Sequence, residues 1–483
     1  MAGIGDDIYL RVGDARRDVR ALLGRLEVRS WASGARALAC VTVALALAYL
    51  PAHPGLDPAA RHAMFILLVA AGLWITEAIP AFAVALVVMA LAIVLLGDMG
   101  RPGGALGWER FVAPWASPMV WLFLGGFVLG RAASRTGLDR SVAMRALALF
   151  GPSPSGALLG LMGVAYVLSM FMSNTAATAM LLAVVAPILA SVPPGDPLRK
   201  ALALGVPVAA NLGGMATLIG SPPNAIAVGA LGESTIDFAR WMLIGLPPSL
   251  ALLVAAWLFL RWRYRSGVAA VTLASVEASI DAAGEPPERL SAWRRIIVVA
   301  TLALTVGLWF TSSLHGIPTP VVSFLPITVF AAVGVMTPLD IRALGWDILL
   351  LLAGGLVLGV VVSTTGLAEW AVGHIPLGGL GPVSVALAAA FATVLLSNLM
   401  SNTAAANILV PVAIALTPHA RPLSAATVAL AASCAMALPI STPPNAIAYA
   451  TRELDARDFL AVGVGVGVVG PLLVVGWASL VAP

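Results

Sequence analysis

Three blocks of this sequence occur twice, in the same order and at nearly the same separation, and this duplication constrains the fold more than any other feature. Leu122 to Leu138 (LFLGGFVLGRAASRTGL) aligns without a gap to Leu351 to Leu367 (LLAGGLVLGVVVSTTGL). Downstream, Ser173-Asn174-Thr175 stands in MSNTAATAM, and Ser401-Asn402-Thr403 stands in MSNTAAANI. PPNAIA then follows at Pro222 to Ala227 and again at Pro443 to Ala448. Repeats of this kind, with interrupted apolar segments at matching places, point to a transporter built from two copies of one unit.

The setting of the blocks supports that reading. Of 483 residues, 60% are hydrophobic and 10% charged, against about 45–50% and about 25% in soluble domains. Apolar runs bounded by Pro, Gly and charges give candidate spans near 37–51, 62–79, 81–97, 117–134, 238–262, 293–311, 320–336, 347–364 and 457–480. None alternates at period two, so an outer-membrane barrel is excluded. Cys40 and Cys434 sit inside apolar runs and read as small hydrophobes, with no disulfide framework.

Two regions, 152–232 and 379–452, are each too long for two plain spans and carry polar residues where a membrane helix has none. Reading each as a re-entrant hairpin followed by a broken helix gives an all-α polytopic protein of about 11 transmembrane helices in two inverted repeats. The expected division is an amphipathic cytoplasmic segment over 1–36, with a surface helix at 8–30, then scaffold and transport parts of the first repeat over 37–150 and 151–262. A cytoplasmic linker over 263–292 leads to the scaffold and transport parts of the second, 293–378 and 379–483. With the N-terminus cytoplasmic and the C-terminus periplasmic or extracellular, most of the 27 Lys and Arg fall inside, as the positive-inside rule requires. The basic sequence pI then reflects topology and not nucleic acid.

All five histidines (His53, His62, His315, His374 and His419) fall in loops or at span ends, and no His, Cys, Asp and Glu group has metal-ligand spacing. An enzyme working at membrane depth is therefore not expected. Glu77, at the end of an apolar span, suits an interfacial carboxylate at least as well as a proton-coupling group. The Ser-Asn-Thr motifs invite a different account. A single occurrence would read as glue between helices, but two at matching places suggest hairpin tips, where non-helical backbone is tolerated only if it lines a cavity or binds a solute. Asn and Thr there can donate to carboxylate oxygens, while Ser hydroxyls, Asn oxygens and backbone carbonyls can ligate a small cation.

The prolines of Gly220-Ser221-Pro222-Pro223-Asn224 and Ser441-Thr442-Pro443-Pro444-Asn445 should each interrupt a span, leaving carbonyls free to point at the neighbouring tip. The lead-in Asn211-Leu212-Gly213-Gly214 would let backbone approach closely.

Together with WITEAIP at Trp74 to Pro80 and Phe238-x-x-Trp-Met-x-x-Gly-Leu-Pro247, the doubled Ser-Asn-Thr and PPN motifs resemble the divalent anion:sodium symporter family of dicarboxylate, citrate and sulfate transporters. The likeness runs from about residue 60 to the end. It implies a homodimer in the cell inner membrane, in which hairpins and broken helices form a mobile transport domain sliding against a scaffold. Carried over by position, it implies a first sodium site at Ser169, Ser173 and Asn174 with the backbone around Gly220. The second would be at Ser397, Ser401 and Asn402 with the backbone around Ser441. Substrate contacts would fall to Asn174, Thr175, Asn402 and Thr403. Where many members continue Ser-Asn-Thr-Ala-Thr, this chain has Ala177 and Ala405 in the last place.

Electrostatics agree independently. A dianion at membrane depth needs compensating charge, yet neither motif region contains Arg, Lys or His. Helix N-termini supply part of it, and co-transported sodium ions supply the natural remainder. The expected function is sodium-coupled symport of a C4-dicarboxylate such as succinate, malate or fumarate by an elevator motion. The alternatives are sodium-independent dicarboxylate exchange and sodium:sulfate symport.

Overall fold

The computed structural model of the chain describes residues 32–51, 53–98, 106–138, 149–151, 153–232, 235–271, 291–374 and 380–482. The surface helix expected at 8–30 and most of the expected linker lie outside them. The first copy comprises α1 Ala32–Tyr49, α2 Pro58–Thr76, α3 Ala81–Leu96, α4 Pro118–Thr136, α5 Pro154–Ser169, α6 Asn174–Ser191, α7 Pro197–Ala216, α8 Pro222–Leu231 and α9 Phe238–Arg263. The second comprises α10 Ala292–Phe310, α11 Thr319–Ala332, α12 Trp346–Thr364, α13 Pro382–Ser397, α14 Asn402–Leu416, α15 Arg421–Ser433, α16 Pro443–Ala450 and α17 Ala456–Val481. Among the described residues the only strand pairing is a two-residue parallel bridge of Gly97–Asp98 with Leu106–Gly107. Seven helices are long and apolar enough to cross a membrane: α1, α2, Glu109–Thr136, α9, α10, α12 and α17.

Local chemistry fixes the unusual elements. In each copy an apolar helix of 16 residues, α5 or α13, rises about 24 Å at 1.5 Å per residue, short of the roughly 30 Å hydrocarbon core. It then turns back at Met170–Ser173 or Asn398–Ser401. The returning helices start there because Ser173 and Ser401 cap them: each hydroxyl accepts from a backbone N–H two residues past the cap's neighbour, Ala176 and Ala404, at 3.2 Å. A serine cap of this kind is worth about 1 kcal/mol. The interrupted spans break at Thr217–Ser221 and at Cys434–Thr442. Pro222-Pro223 and Pro443-Pro444 then open α8 and α16, a position where a missing N–H costs nothing.

Two groups of helix contacts recur with partners exchanged between copies, and they meet where α12 packs on α14. In one group α12 packs on α3 and α4 packs on α11. In the other, α5 and α6 pack on α7 while α13 and α14 pack on α15; α8 crosses to α14 and α15, and α16 crosses to α6 and α7. Each group has its own ion-pair cluster. In the first, Arg131 Nε lies 3.0 Å from Asp340 Oδ1 and Arg135 pairs with the same carboxylate, joining α4 to the short helix Pro338–Arg342. In the second, Arg199 Nε donates to Glu453 Oε2 at 2.9 Å, and Lys200 Nζ lies 2.7 Å from Asp455 and 2.9 Å from Asp458, which also accepts from the Tyr264 hydroxyl at 2.8 Å. These tie the start of α7 to the start of α17.

Burial pushes the Asp340 carboxyl up, but hydrogen bonds from Thr337 and the two guanidinium groups outweigh it and hold the group below the usual carboxylate range. A depressed carboxyl stabilises the fold above its ordinary pKa, and that contribution is lost as pH falls through the folded value. Asp340→Asn is therefore expected to cost on the order of 1–3 kcal/mol at neutral pH, by removing the charge that Arg135 and the half-exposed Arg131 both face. Thermal unfolding in detergent checks it: the gap between parent and variant should close below about pH 4.

Candidate functional site

At the first hairpin tip, the buried Ser169 hydroxyl donates to Asn174 Oδ1 at 2.6 Å. Asn174 lies directly on the broken helix. A Cβ on Gly214 would come within 2.7 Å of Asn174 Oδ1, and one on Gly213 within 2.3 Å of the Tyr166 carbonyl oxygen. The glycine-rich lead-in is thus where hairpin and helix touch, and a larger residue would push them apart. From the facing loop the Thr217 hydroxyl donates to the Met170 carbonyl, and Gly220 N–H donates to Thr217 Oγ1 at 3.1 Å.

The second tip is wired differently. Ser397 Oγ and Asn402 Oδ1, the counterparts of the bonded pair above, are both buried with no hydrogen-bond partner among the described residues. The link to the facing loop comes instead from Asn398, whose Oδ1 accepts from Ala437 N–H and from the Ser441 hydroxyl, each at 2.9 Å. Ser441 is thereby fixed against the tip.

The breaks narrow one expectation. Some of the carbonyls expected to be left free are taken, because the Asn of each PPN block reaches back over its own gap. Asn224 Nδ2 donates to the carbonyl oxygens of Gly214 at 2.8 Å and Thr217 at 2.7 Å, and Asn445 Nδ2 donates to those of Met436 and Leu438, each at 3.0 Å. Burying an unpaired carbonyl costs about 1–3 kcal/mol, so these amides make the breaks affordable in an apolar setting. The signal in the sequence was the Asn itself, two donors placed immediately after two residues that have none. Asn211 Nδ2 joins the two copies, donating to Thr442 Oγ1 at 3.1 Å and Asn445 Oδ1 at 3.3 Å.

The paired motifs are not equally open. Thr175 is exposed, whereas Thr403 is 9% exposed. A cavity of about 500 Å³ reaches the second tip from the turn between α2 and α3, lined by Trp74, Glu77, Pro80, Ser401 and Ala404 among others. Glu77 closes α2 with a left-handed backbone, φ +46°, a conformation disfavoured for any residue with a Cβ. The turn is clasped by Trp74 Nε1 donating to the Ala81 carbonyl at 3.1 Å. Chemically, the region offers two helix N-termini with their partial positive charge, Asn and Thr donors, and unpartnered hydroxyl and amide oxygens. That set suits an anion beside a small cation.

The comparisons with known proteins agree with this chemistry. The family described as the sodium:sulfate symporter transmembrane region matches residues 32–481. A sodium-dependent dicarboxylate transporter, SdcS of Staphylococcus aureus (strain bovine RF122 / ET3-1), is 30% identical over 447 residues, covering 83% of this chain and 82% of its own. The protein of the same name from Staphylococcus saprophyticus is 31% identical over 439 residues, with the same coverage. In structure, the chain resembles the Alcanivorax borkumensis YdaH transporter (TM-score 0.55, 14% identity, 83% of this chain and 99% of that one). It also resembles Neisseria gonorrhoeae MtrF (TM-score 0.52, 11% identity, 83% and 94%). At such identities these two speak to the fold alone, that of a polytopic helical membrane protein. With a family match spanning nearly the whole chain, the protein is a transporter and not an enzyme, and it belongs to the sodium:sulfate symporter family, the divalent anion:sodium symporters.

Proposed function

We propose that the chain is a sodium-coupled symporter of C4-dicarboxylates such as succinate, malate or fumarate, and that it moves them by an elevator motion. The observation that carries this is the doubled hairpin tip, with Ser-Asn-Thr at the start of a helix and a broken-helix loop facing it. Asn174 with Thr175, and Asn402 with Thr403, would each hold one carboxylate. Ser169, Ser173 and Asn174 near Gly220, and Ser397, Ser401 and Asn402 near Ser441, would hold sodium. The unpartnered Ser397 Oγ and Asn402 Oδ1 support the second cation site, since buried oxygens without a protein donor are what a hard cation completes.

The two packing groups support the motion. Elements 37–150 and 293–378 would form the scaffold, and 151–262 and 379–483 the moving body. The two ion-pair clusters each lie inside one of these groups, so sliding would break neither. The reading keeps the N-terminus and the 263–292 linker in the cytoplasm and the C-terminus outside, in a homodimer of the cell inner membrane. The names of the SdcS relatives favour dicarboxylate, and two complete motifs suit two carboxylates better than one compact tetrahedral anion. The family description keeps sulfate as the second reading.

Uptake of labelled succinate into proteoliposomes tests this. An inward sodium gradient should drive accumulation, choline in its place should abolish it, and unlabelled sulfate should compete poorly. Equal uptake in choline and sodium would favour exchange, and strong competition by sulfate would favour the second reading.

A further inference from the structure

The glycine pairs shared by the two copies of the first repeated block, Gly125-Gly126 in α4 and Gly354-Gly355 in α12, divide their neighbours in the same way. A Cβ on the first glycine of each pair would strike a helix of its own packing group: Ser323 Cβ of α11 at 2.7 Å from Gly125, and Ala85 Cβ of α3 at 2.3 Å from Gly354. A Cβ on the second would meet the hairpin-and-break group, in tight contact with Ile219 at 3.3 Å from Gly126 and in collision with Asn407 Oδ1 at 1.7 Å from Gly355. One glycine of each pair therefore packs the scaffold together, and the other receives the body that faces it.

The two receiving notches differ in chemistry. Ile219 makes an apolar contact that can slide. Asn407, on α14, is fully buried; its Nδ2 donates to the Leu351 carbonyl of α12 at 3.2 Å, and its Oδ1 has no hydrogen-bond partner among the described residues. The residue aligned with it in the first hairpin is Ala179. A buried amide satisfied on one side only must keep that one bond or lose it outright when α14 shifts along α12.

We propose that Asn407, seated in the Gly355 notch, is a positioning residue that holds the hairpin-and-break body at its present height against α12. This rests on the two-body reading given above. The present height is the one in which Ala176 is exposed while its counterpart Ala404 is 1% exposed. By the exchange of roles between the two copies, the opposite state should cover Ala176 and uncover Ala404. Leu351 is inside α12, so its carbonyl keeps a helical partner when the amide is removed. The Ala at 179 shows that a hairpin arm accepts alanine at this place.

The test uses the full chain in proteoliposomes, with Cys40→Ser and Cys434→Ala, and a single reporter, Ala176→Cys or Ala404→Cys, labelled with maleimide. Asn407→Ala should slow labelling at position 176 relative to position 404, lowering the ratio of the two rates about fivefold, the weight of one net hydrogen bond. Gly355→Ala should do the same. Adding Gly355→Ala to Asn407→Ala should change little further, because the new Cβ has lost the atom it would strike. Unchanged rates in both single variants overturn the proposal. So do fully additive effects, and so does faster labelling at both positions, which would report loosening without sliding.

A second arm separates the underlying reading. Mercuric ion bridging Leu351→Cys to Asn407→Cys should arrest succinate uptake. Uptake that persists across the bridge overturns the two-body reading, whereas arrest combined with unchanged reporter rates overturns the positioning role alone.

Discussion

Thr403→Ala is expected to weaken succinate binding by roughly tenfold to a hundredfold. It removes one hydrogen bond to a charged carboxylate, worth on the order of 1.5–3 kcal/mol where water is excluded. Thr175→Ala should cost the same order, because each Asn-Thr pair is assigned one carboxylate of a dianion. Before substrate arrives the two positions differ, Thr175 being exposed and Thr403 only 9% exposed. The difference belongs to access, and equilibrium binding in saturating sodium should show both losses. Butyrate, able to engage one pair only, should compete far more weakly than succinate. Binding should also decline as pH falls through the substrate's second ionisation, since the proposed site matches two sodium ions to a dianion. If one Thr variant is silent while the other abolishes binding, or if butyrate competes as well as succinate, the division between the pairs is wrong even though the family assignment stands.

The division of the chain into hairpins and breaks was legible because it is written twice. One Ser-Asn-Thr in an apolar stretch is indistinguishable from helix-to-helix glue, but a second copy at the matching place marks a site where both chains of helix must stop. Pro-Pro at N1 and the serine caps are local rules, and local rules survive the absence of tertiary information. What escaped was how the polar groups around the stops are satisfied. Asn398 ties the second tip to its loop, yet its counterpart in the first copy is Met170, which serves only through its carbonyl. No repeat comparison could pair an amide side chain with a backbone oxygen. The second break is also longer, Cys434–Thr442 against Thr217–Ser221, and here a signal existed. Pro439 stands where the first copy has Leu218, and a proline disfavours helix in the residue before it. The unequal exposure of Thr175 and Thr403 is of another kind: two identical motifs carry no trace of it.

Ser169→Ala and Ser397→Ala should both raise the sodium concentration for half-maximal uptake, by roughly tenfold if each hydroxyl contributes on the order of 1.5 kcal/mol to a bound cation. The dependence on sodium should be cooperative in the parent, because two cation sites are proposed for one substrate. The ligand-free proteins should separate the two variants. In the first copy the Ser169 hydroxyl donates to Asn174 Oδ1 at 2.6 Å, so alanine there leaves a half-buried amide oxygen without its donor and should cost about 1 kcal/mol of stability. In the second copy Ser397 Oγ has no partner among the described residues, and alanine removes a buried hydroxyl that makes no bond. Ser397→Ala should therefore unfold at the parent's temperature or slightly above it in sodium-free buffer, while Ser169→Ala unfolds below it. Adding sodium should stabilise the parent by mass action and should stabilise each variant less. Thermal unfolding at several sodium concentrations reads both effects in one series. A Ser397→Ala protein that is destabilised without sodium and gains as much from sodium as the parent would mean that this hydroxyl serves the fold and not the cation, and the second sodium site would have to be sought elsewhere around the Asn398 tip.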